Sequence, residues 1–106
     1  LQAQPNTPEP FAELAWILAT DPDLPLQDAR QAVGLAERAA QLTSHEDASV
    51  LDSLAAAYAA MGRFGQAEAT ARAALALLPS SQHDVTRSIQ QRLDLYIDRR
   101  PYRRPR

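Results

Sequence analysis

Apolar residues recur every three to four positions along most of the chain, and this spacing predicts helices rather than strands. The first such stripe covers residues 11–20, and Pro22 and Pro25 end it because proline does not fit inside a helix. A second stripe covers about residues 28–42, with Leu26 as an alternative start. No segment alternates apolar and polar residues at a two-residue period. The pattern therefore predicts an all-α fold.

The second half of the chain predicts three more helices. The third covers about residues 48–61 and ends at Gly62, which suits the left-handed residue that closes many helices. The turn "GRFG" separates it from a fourth helix over about residues 65–78, which Pro79 ends. A fifth helix follows and ends near Arg99, before Pro101.

Short polar residues mark where two of these helices begin. Ser44 or Asp47 can accept a hydrogen bond from the first free backbone N–H groups of the third helix. Ser81, with Asp84 three residues later, resembles a capping box at the start of the fifth helix.

Two of the helix pairs share a pattern, which indicates an internal repeat. The first helices of the two pairs match at an offset of 40 residues, and the extra length lies in the loop "DPDLPLQD". The second helices match at an offset of 35 residues, where Ala32, Ala36, Ala39 and Leu42 recur as Ala67, Ala71, Ala74 and Leu77. Small side chains at this spacing let two helices approach closely.

This pattern resembles the tetratricopeptide repeat. Residues 47–80 fit best, with "LAAAY" at the family's Leu-Gly-Tyr positions, Gly62 and Phe64 in its turn, and Pro79 at its closing proline. Residues 9–46 form a degenerate copy with a lengthened loop, in which Phe11 stands at the usual Trp. The resemblance implies a right-handed α-solenoid fragment: two antiparallel helix-turn-helix pairs and a capping helix at 81–99, between a linker at 1–8 and an Arg-rich tail at 100–106.

Several phrases carry a narrower resemblance. "LAWILAT", "AVGLAERAAQLT", "LDSLAAAYAAMGRF" and "RRPYRR" are similar to the last repeats of large bacterial tetratricopeptide proteins. Some of those proteins are membrane glycosyltransferases with a C-terminal helical module. The resemblance implies a bacterial, soluble domain whose parent protein carries a membrane anchor, with the compartment left open. The chain also lacks an initial Met, so we expect a piece of a longer protein.

Composition and charge exclude some function classes. The chain has no Cys, so it forms no disulfide and no thiolate metal site, and no apolar run is long enough for a membrane span. The net charge of −2 combines an acidic body with a basic end, because all basic residues are Arg and five of them lie in residues 99–106. This basic end has three interpretations: a disordered solubilising tail, a tail that folds back through Tyr102 onto the fifth helix, or a contact for nucleic acid or anionic lipid.

No group of residues has the spacing of a catalytic site. His45 and His83 both lie beside predicted helix starts without Cys nearby, and the glycines do not form a phosphate-binding loop. The sequence therefore predicts no enzyme activity, no cofactor, no metal and no bound nucleic acid.

The resemblance implies a partner-binding site instead, because the first helices of stacked pairs line a concave face. We expect that face to combine carboxylates, an Arg and the single Trp over small alanines, and to hold a peptide with a basic residue and an apolar anchor. The residues assigned to it are Glu13, Trp16, Asp52, Ala56, Ala59, Arg87 and Gln91. An alternative is that Trp16 only packs against a neighbouring helix.

Three functions follow from these expectations. The first is a scaffold that binds a protein or peptide on the concave face. The second is self-association as a homodimer through an exposed edge at Phe11, Leu14 and Ile17. The third is a C-terminal regulatory appendage of a larger enzyme such as a bacterial membrane glycosyltransferase.

Overall fold

A computed structural model describes residues 8–23 and 25–105, and their fold is all-α. Within these residues there are five helices and no strand, as the apolar spacing predicts. The predicted linker at residues 1–8 lies outside the described residues, apart from Pro8, which begins the first helix. The helices are α1 (Pro8–Thr20), α2 (Leu26–Leu42), α3 (Ala48–Ala60), α4 (Phe64–Leu77) and α5 (His83–Ile97).

The N-terminus of α3 is capped as predicted. Asp47 is the N-cap residue, and its Oδ1 accepts hydrogen bonds from the backbone N–H of Ser49 at 3.0 Å and of Val50 at 3.3 Å. The capping box predicted at Ser81 and Asp84 was wrong. The N-cap of α5 is Gln82, and no side chain caps this helix.

Three helices end in the same backbone turn, the Schellman motif. In each, the residue after the C-cap is left-handed: Ser44 (φ 54°) after α2, Gly62 (φ 77°) after α3 and Arg99 (φ 57°) after α5. The next backbone N–H then donates to a carbonyl five residues earlier, at 2.8–2.9 Å: His45 to Ala40, Arg63 to Tyr58 and Arg100 to Leu95. Gly62 confirms the predicted end of α3, and it alone takes this conformation without a steric cost from a Cβ.

The helices pack around alanine. Helix α1 packs against α2 and α3, α3 also packs against α2 and α4, and α5 packs against α4. The positions related by the 35-residue offset are equally buried, because Ala32, Ala36 and Ala39 are 0% exposed and Ala67, Ala71 and Ala74 are at most 1% exposed. Small side chains at these contacts allow the close approach that the sequence predicts.

A polar contact links α2 and α3. The side chain of Tyr58 is largely buried, and its hydroxyl donates a hydrogen bond to Glu37 Oε2 at 2.9 Å. Burial raises the pKa of Tyr58, and the hydrogen bond and negative charge of Glu37 raise it further. This contact therefore adds a polar link to the apolar packing of α3 against α2.

Candidate functional site

An open cleft of about 490 Å³ lies between α1, α3 and α5. Its floor is apolar, and its sides carry the carboxylates of Glu13, Asp47 and Asp52. Ala12, Val50 and Ile89 in the floor are at most 6% exposed, whereas Ile17 and Val85 at the rim are 50% and 42% exposed. The cleft thus combines an apolar floor with carboxylates on its sides.

An ion pair joins α3 to α5 at one end of this cleft. Arg92 Nε and Nη2 donate to the two carboxylate oxygens of Asp52 at 2.9 and 2.6 Å, and both side chains are largely buried. Burial raises the pKa of Asp52, while the hydrogen bond and positive charge of Arg92 lower it, and burial has the larger effect. No local pattern in the sequence indicates this partner, because Arg92 lies forty residues from Asp52.

Beside this pair, Trp16 of α1 stacks on Tyr102. The two ring centroids are 5.6 Å apart with an interplanar angle of 28°. The Arg92 guanidinium carbon lies 5.1 Å from the Trp16 centroid and 5.5 Å from that of Tyr102. Arg92 therefore contacts the carboxylate of Asp52 and two aromatic rings at once.

Residues 101–105 lie within the Arg-rich tail predicted at 100–106, and from here on we call these five residues the tail. They fold back onto the C-terminus of α1. The backbone N–H of Arg104 donates to the Thr20 carbonyl at 2.8 Å, and Arg104 Nη2 donates to the Ile17 carbonyl at 3.2 Å. Arg103 Nη1 donates to the Asp21 carbonyl at 3.1 Å. These contacts favour the second interpretation of the basic end, although Tyr102 stacks on Trp16 of α1 as well as lying close to α5.

The tail supplies hydrogen-bond donors and positive charge to the C-terminus of α1. The last carbonyls of a helix have no partner within the helix, and cations near them interact favourably with the helix dipole. Helix α1 has no basic residue in its last turn. Arg103 and Arg104 provide both hydrogen-bond donors and positive charge there.

The structure brings together three of the predicted site residues. Glu13, Trp16 and Asp52 all line the cleft. Ala56 and Ala59 lie one and two turns further along the same face of α3, but each is only 1% exposed, so neither offers surface to a partner. Their assignment to a binding surface is therefore corrected to the core.

Arg87 and Gln91 also require a correction. Both are exposed, but they line a separate groove between α4 and α5, together with Leu75 and His83. A residue two positions along a helix points to the opposite side, and the side of α5 that faces the cleft carries Val85, Ile89 and Arg92. Of the apolar stripe of α5, Val85 and Ile89 line the cleft, whereas Leu93 and Tyr96 are buried in the core.

The predicted dimer edge is only partly exposed. Phe11 is half-buried and packs against the core, whereas Leu14 and Ile17 are 42% and 50% exposed. Two apolar side chains one turn apart on α1 therefore face solvent in this chain.

The described residues contain no group of three or more His, Asp or Glu placed to hold a metal ion. Among the same residues, no helix has the length and hydropathy that crossing a membrane requires. What the cleft offers chemically is apolar contact, ion pairing and hydrogen bonding. No known family model, curated protein or solved structure matches the chain significantly.

Proposed function

We propose that the chain is a protein-interaction scaffold of the tetratricopeptide type, which binds a peptide segment of a partner protein in the cleft between α1, α3 and α5. The observation that supports this most is the cleft itself, open to solvent and about 490 Å³ in volume. Sites that bind ligands are typically concave and mostly apolar, with a few polar groups that fix orientation.

The lining of the cleft indicates which segment fits. Val50, Val85 and Ile89 form an apolar wall for one anchoring side chain, and Glu13 and Asp47 place negative charge beside it. The ion pair with Arg92 compensates the charge of Asp52, so the negative charge of the cleft comes from Glu13 and from Asp47, whose Oδ1 also caps α3. The ligand that fits is a peptide with an apolar anchor and a nearby Lys or Arg.

The packing of the helices supports the repeat arrangement that this function assumes. Each predicted pair is in contact, α1 with α2 and α3 with α4, and α5 covers α4. Ala15 and Ala55, related by the 40-residue offset, are both 0% exposed. We therefore propose a short right-handed solenoid that α5 ends.

A random peptide library displayed on phage, selected against the full chain, tests the proposal. We expect enriched peptides to carry an apolar residue close to a basic one. Val85→Asp and Glu13→Lys should each weaken a selected peptide about tenfold or more. Val85→Asp places a charge on the apolar wall that holds the anchor, and Glu13→Lys repels the basic residue of the peptide.

Ile97→Asp is the matched control. Ile97 lies on the same helix as Val85, and its exposure is similar (51% against 42%), but it does not line the cleft. Equal binding by the wild type, Val85→Asp and Glu13→Lys would reject the cleft as the binding site.

Self-association is a second candidate, because Leu14 and Ile17 are large, apolar and exposed on one face of α1. Light scattering at several concentrations should show a dimer that Leu14→Glu abolishes. A monomer at all concentrations removes this candidate. The regulatory appendage of a larger enzyme stays a prediction, since no contact among the described residues bears on it.

A further inference from the structure

The tail occupies one end of the surface that α1, α3 and α5 form, and it leaves the other end open. No tail residue lines the cleft, yet Trp16 borders both the cleft and the tail. The site held by the tail and the open cleft are therefore continuous. A segment bound from outside has room to use both, whereas the tail uses only one.

The contacts that hold the tail define a simple chemistry. An aromatic ring stacks on Trp16 below the guanidinium of Arg92, and the next two residues donate to carbonyls at the C-terminus of α1. Each contact needs a flat ring, a backbone N–H or an Arg side chain. None of them requires that the segment belong to the same chain.

The chain's own tail fits this site imperfectly. Arg104 Nε and the Tyr96 hydroxyl are buried and find no hydrogen-bond partner among the described residues. Buried polar groups without partners weaken a contact.

We propose that this end of the surface is a receptor site for a partner-protein segment in which an aromatic residue is followed directly by two arginines. The chain's own tail fills the site until such a partner displaces it. This proposal rests on the proposed function, since it assigns the tail the role of controlling access to the Trp16 end of the same surface.

The test uses a synthetic peptide with the sequence of residues 100–105 and the 106-residue chain in two forms, wild type and Tyr102→Ala/Arg104→Ala. Trp16 is the only Trp in the chain, so its fluorescence emission reports on the surroundings of this one residue. The double variant should emit at longer wavelength than the wild type, and added peptide should reverse that shift.

Wild type should need about tenfold more peptide than the double variant, because its attached tail competes at a high effective concentration. A peptide with Ala in place of its Tyr should leave the emission of the double variant unchanged. If circular dichroism shows that the double variant loses helix, the milder Arg104→Ala should still bind the peptide more tightly than wild type.

Three outcomes overturn the proposal. The first is a helical variant whose Trp16 emission ignores millimolar peptide, and the second is equal binding by wild type and variant. The third is a wild-type dimer in light scattering that the double variant loses, since a second copy then supplies the segment. Val85→Asp separates the two proposals: it should abolish binding in the cleft and leave the response to the tail peptide unchanged.

Discussion

Helices α1 and α3 pack against each other, but their C-termini are closed in different ways. The last turn of α3 is closed by the next residues in sequence, as Gly62 N–H donates to Ala59 and Arg63 N–H donates to Tyr58, both at 2.9 Å. The last turn of α1 is closed by Arg103 and Arg104, more than eighty residues later.

The residues that follow each helix explain the difference. Gly62 adopts the left-handed conformation that turns the chain back and directs its own N–H to the helix. Two residues after the end of α1, at the position that Gly62 has after α3, lies Pro22, which has no N–H to donate. The carbonyls of α1 therefore find donors elsewhere in the chain, and the tail provides them. The C-terminus of α3 is therefore determined by adjacent residues. The C-terminus of α1, which we call the remote end, depends on the tertiary fold.

Removing Arg92 should have the largest effect, because its guanidinium contacts the carboxylate of Asp52 and the rings of Trp16 and Tyr102. It thereby links the tail to α1, α3 and α5. Arg92→Met leaves the buried carboxylate of Asp52 unpaired, and we expect a loss of about 3 kcal/mol in the free energy of unfolding. Urea denaturation measures it. Arg72→Met is the control, because Arg72 pairs with Glu68 on the exposed side of α4 at 3.3 Å, and we expect a change of at most about 0.5 kcal/mol. Similar losses in both variants would mean that the remote pair is no more important than a surface pair.

Removing the Tyr102 ring should loosen one helix end and spare the other. Tyr102→Ala removes the stack on Trp16 and the tail's anchor, and we expect a cost of about 1.5 kcal/mol. Amide hydrogen exchange should become about tenfold faster at the last turn of α1 and stay unchanged at residues 57–60 of α3. Equal acceleration at both ends would show that the tail stabilises the whole fold and not α1 in particular.

The two helix ends also show which features of the fold the sequence predicts: those that depend on adjacent residues, but not contacts between residues far apart in the chain. Gly62 and Asp47 were predicted from their neighbours, because a left-handed turn and an N-cap depend on a few adjacent residues. The burial of Ala67, Ala71 and Ala74 followed from helical spacing. The candidate site was predicted only in part. Glu13, Trp16 and Asp52 were placed in the cleft, but pairing across forty residues leaves no local sign, so Arg92 was missed. The misplacement of Arg87 and Gln91 has the same origin, since the side of α5 that faces the cleft depends on tertiary packing.

Substituting glycines should confirm the local character of the α3 end. Gly62→Ala places a Cβ on a residue at φ 77°, and we expect a loss of about 1 kcal/mol in the free energy of unfolding. Gly34 lies inside α2 with open space around it, so Gly34→Ala should stabilise the chain by about 1 kcal/mol. Thermal unfolding of both variants measures the opposite signs. A stabilising Gly62→Ala would contradict the turn on which the comparison depends.

The titration of Asp52 should give the smallest effect and the sharpest view of the remote end. Burial raises the pKa of Asp52 above its ordinary value of 3.8 despite the Arg92 guanidinium, so the folded chain binds this proton more tightly than the unfolded chain does. Its contribution to the free energy of unfolding should therefore fall as pH rises from 3.8 through the folded pKa. Carboxyl chemical shifts from NMR locate the midpoint, and comparison with Asp52→Asn isolates this group from the other carboxylates. In Arg92→Met the midpoint should move higher, because both causes that lower it are gone. A midpoint below 3.8 in the wild type would mean that pairing with Arg92 lowers the pKa of Asp52 more than burial raises it. Arg92 would then stabilise the charged form of Asp52 by more than burial destabilises that form.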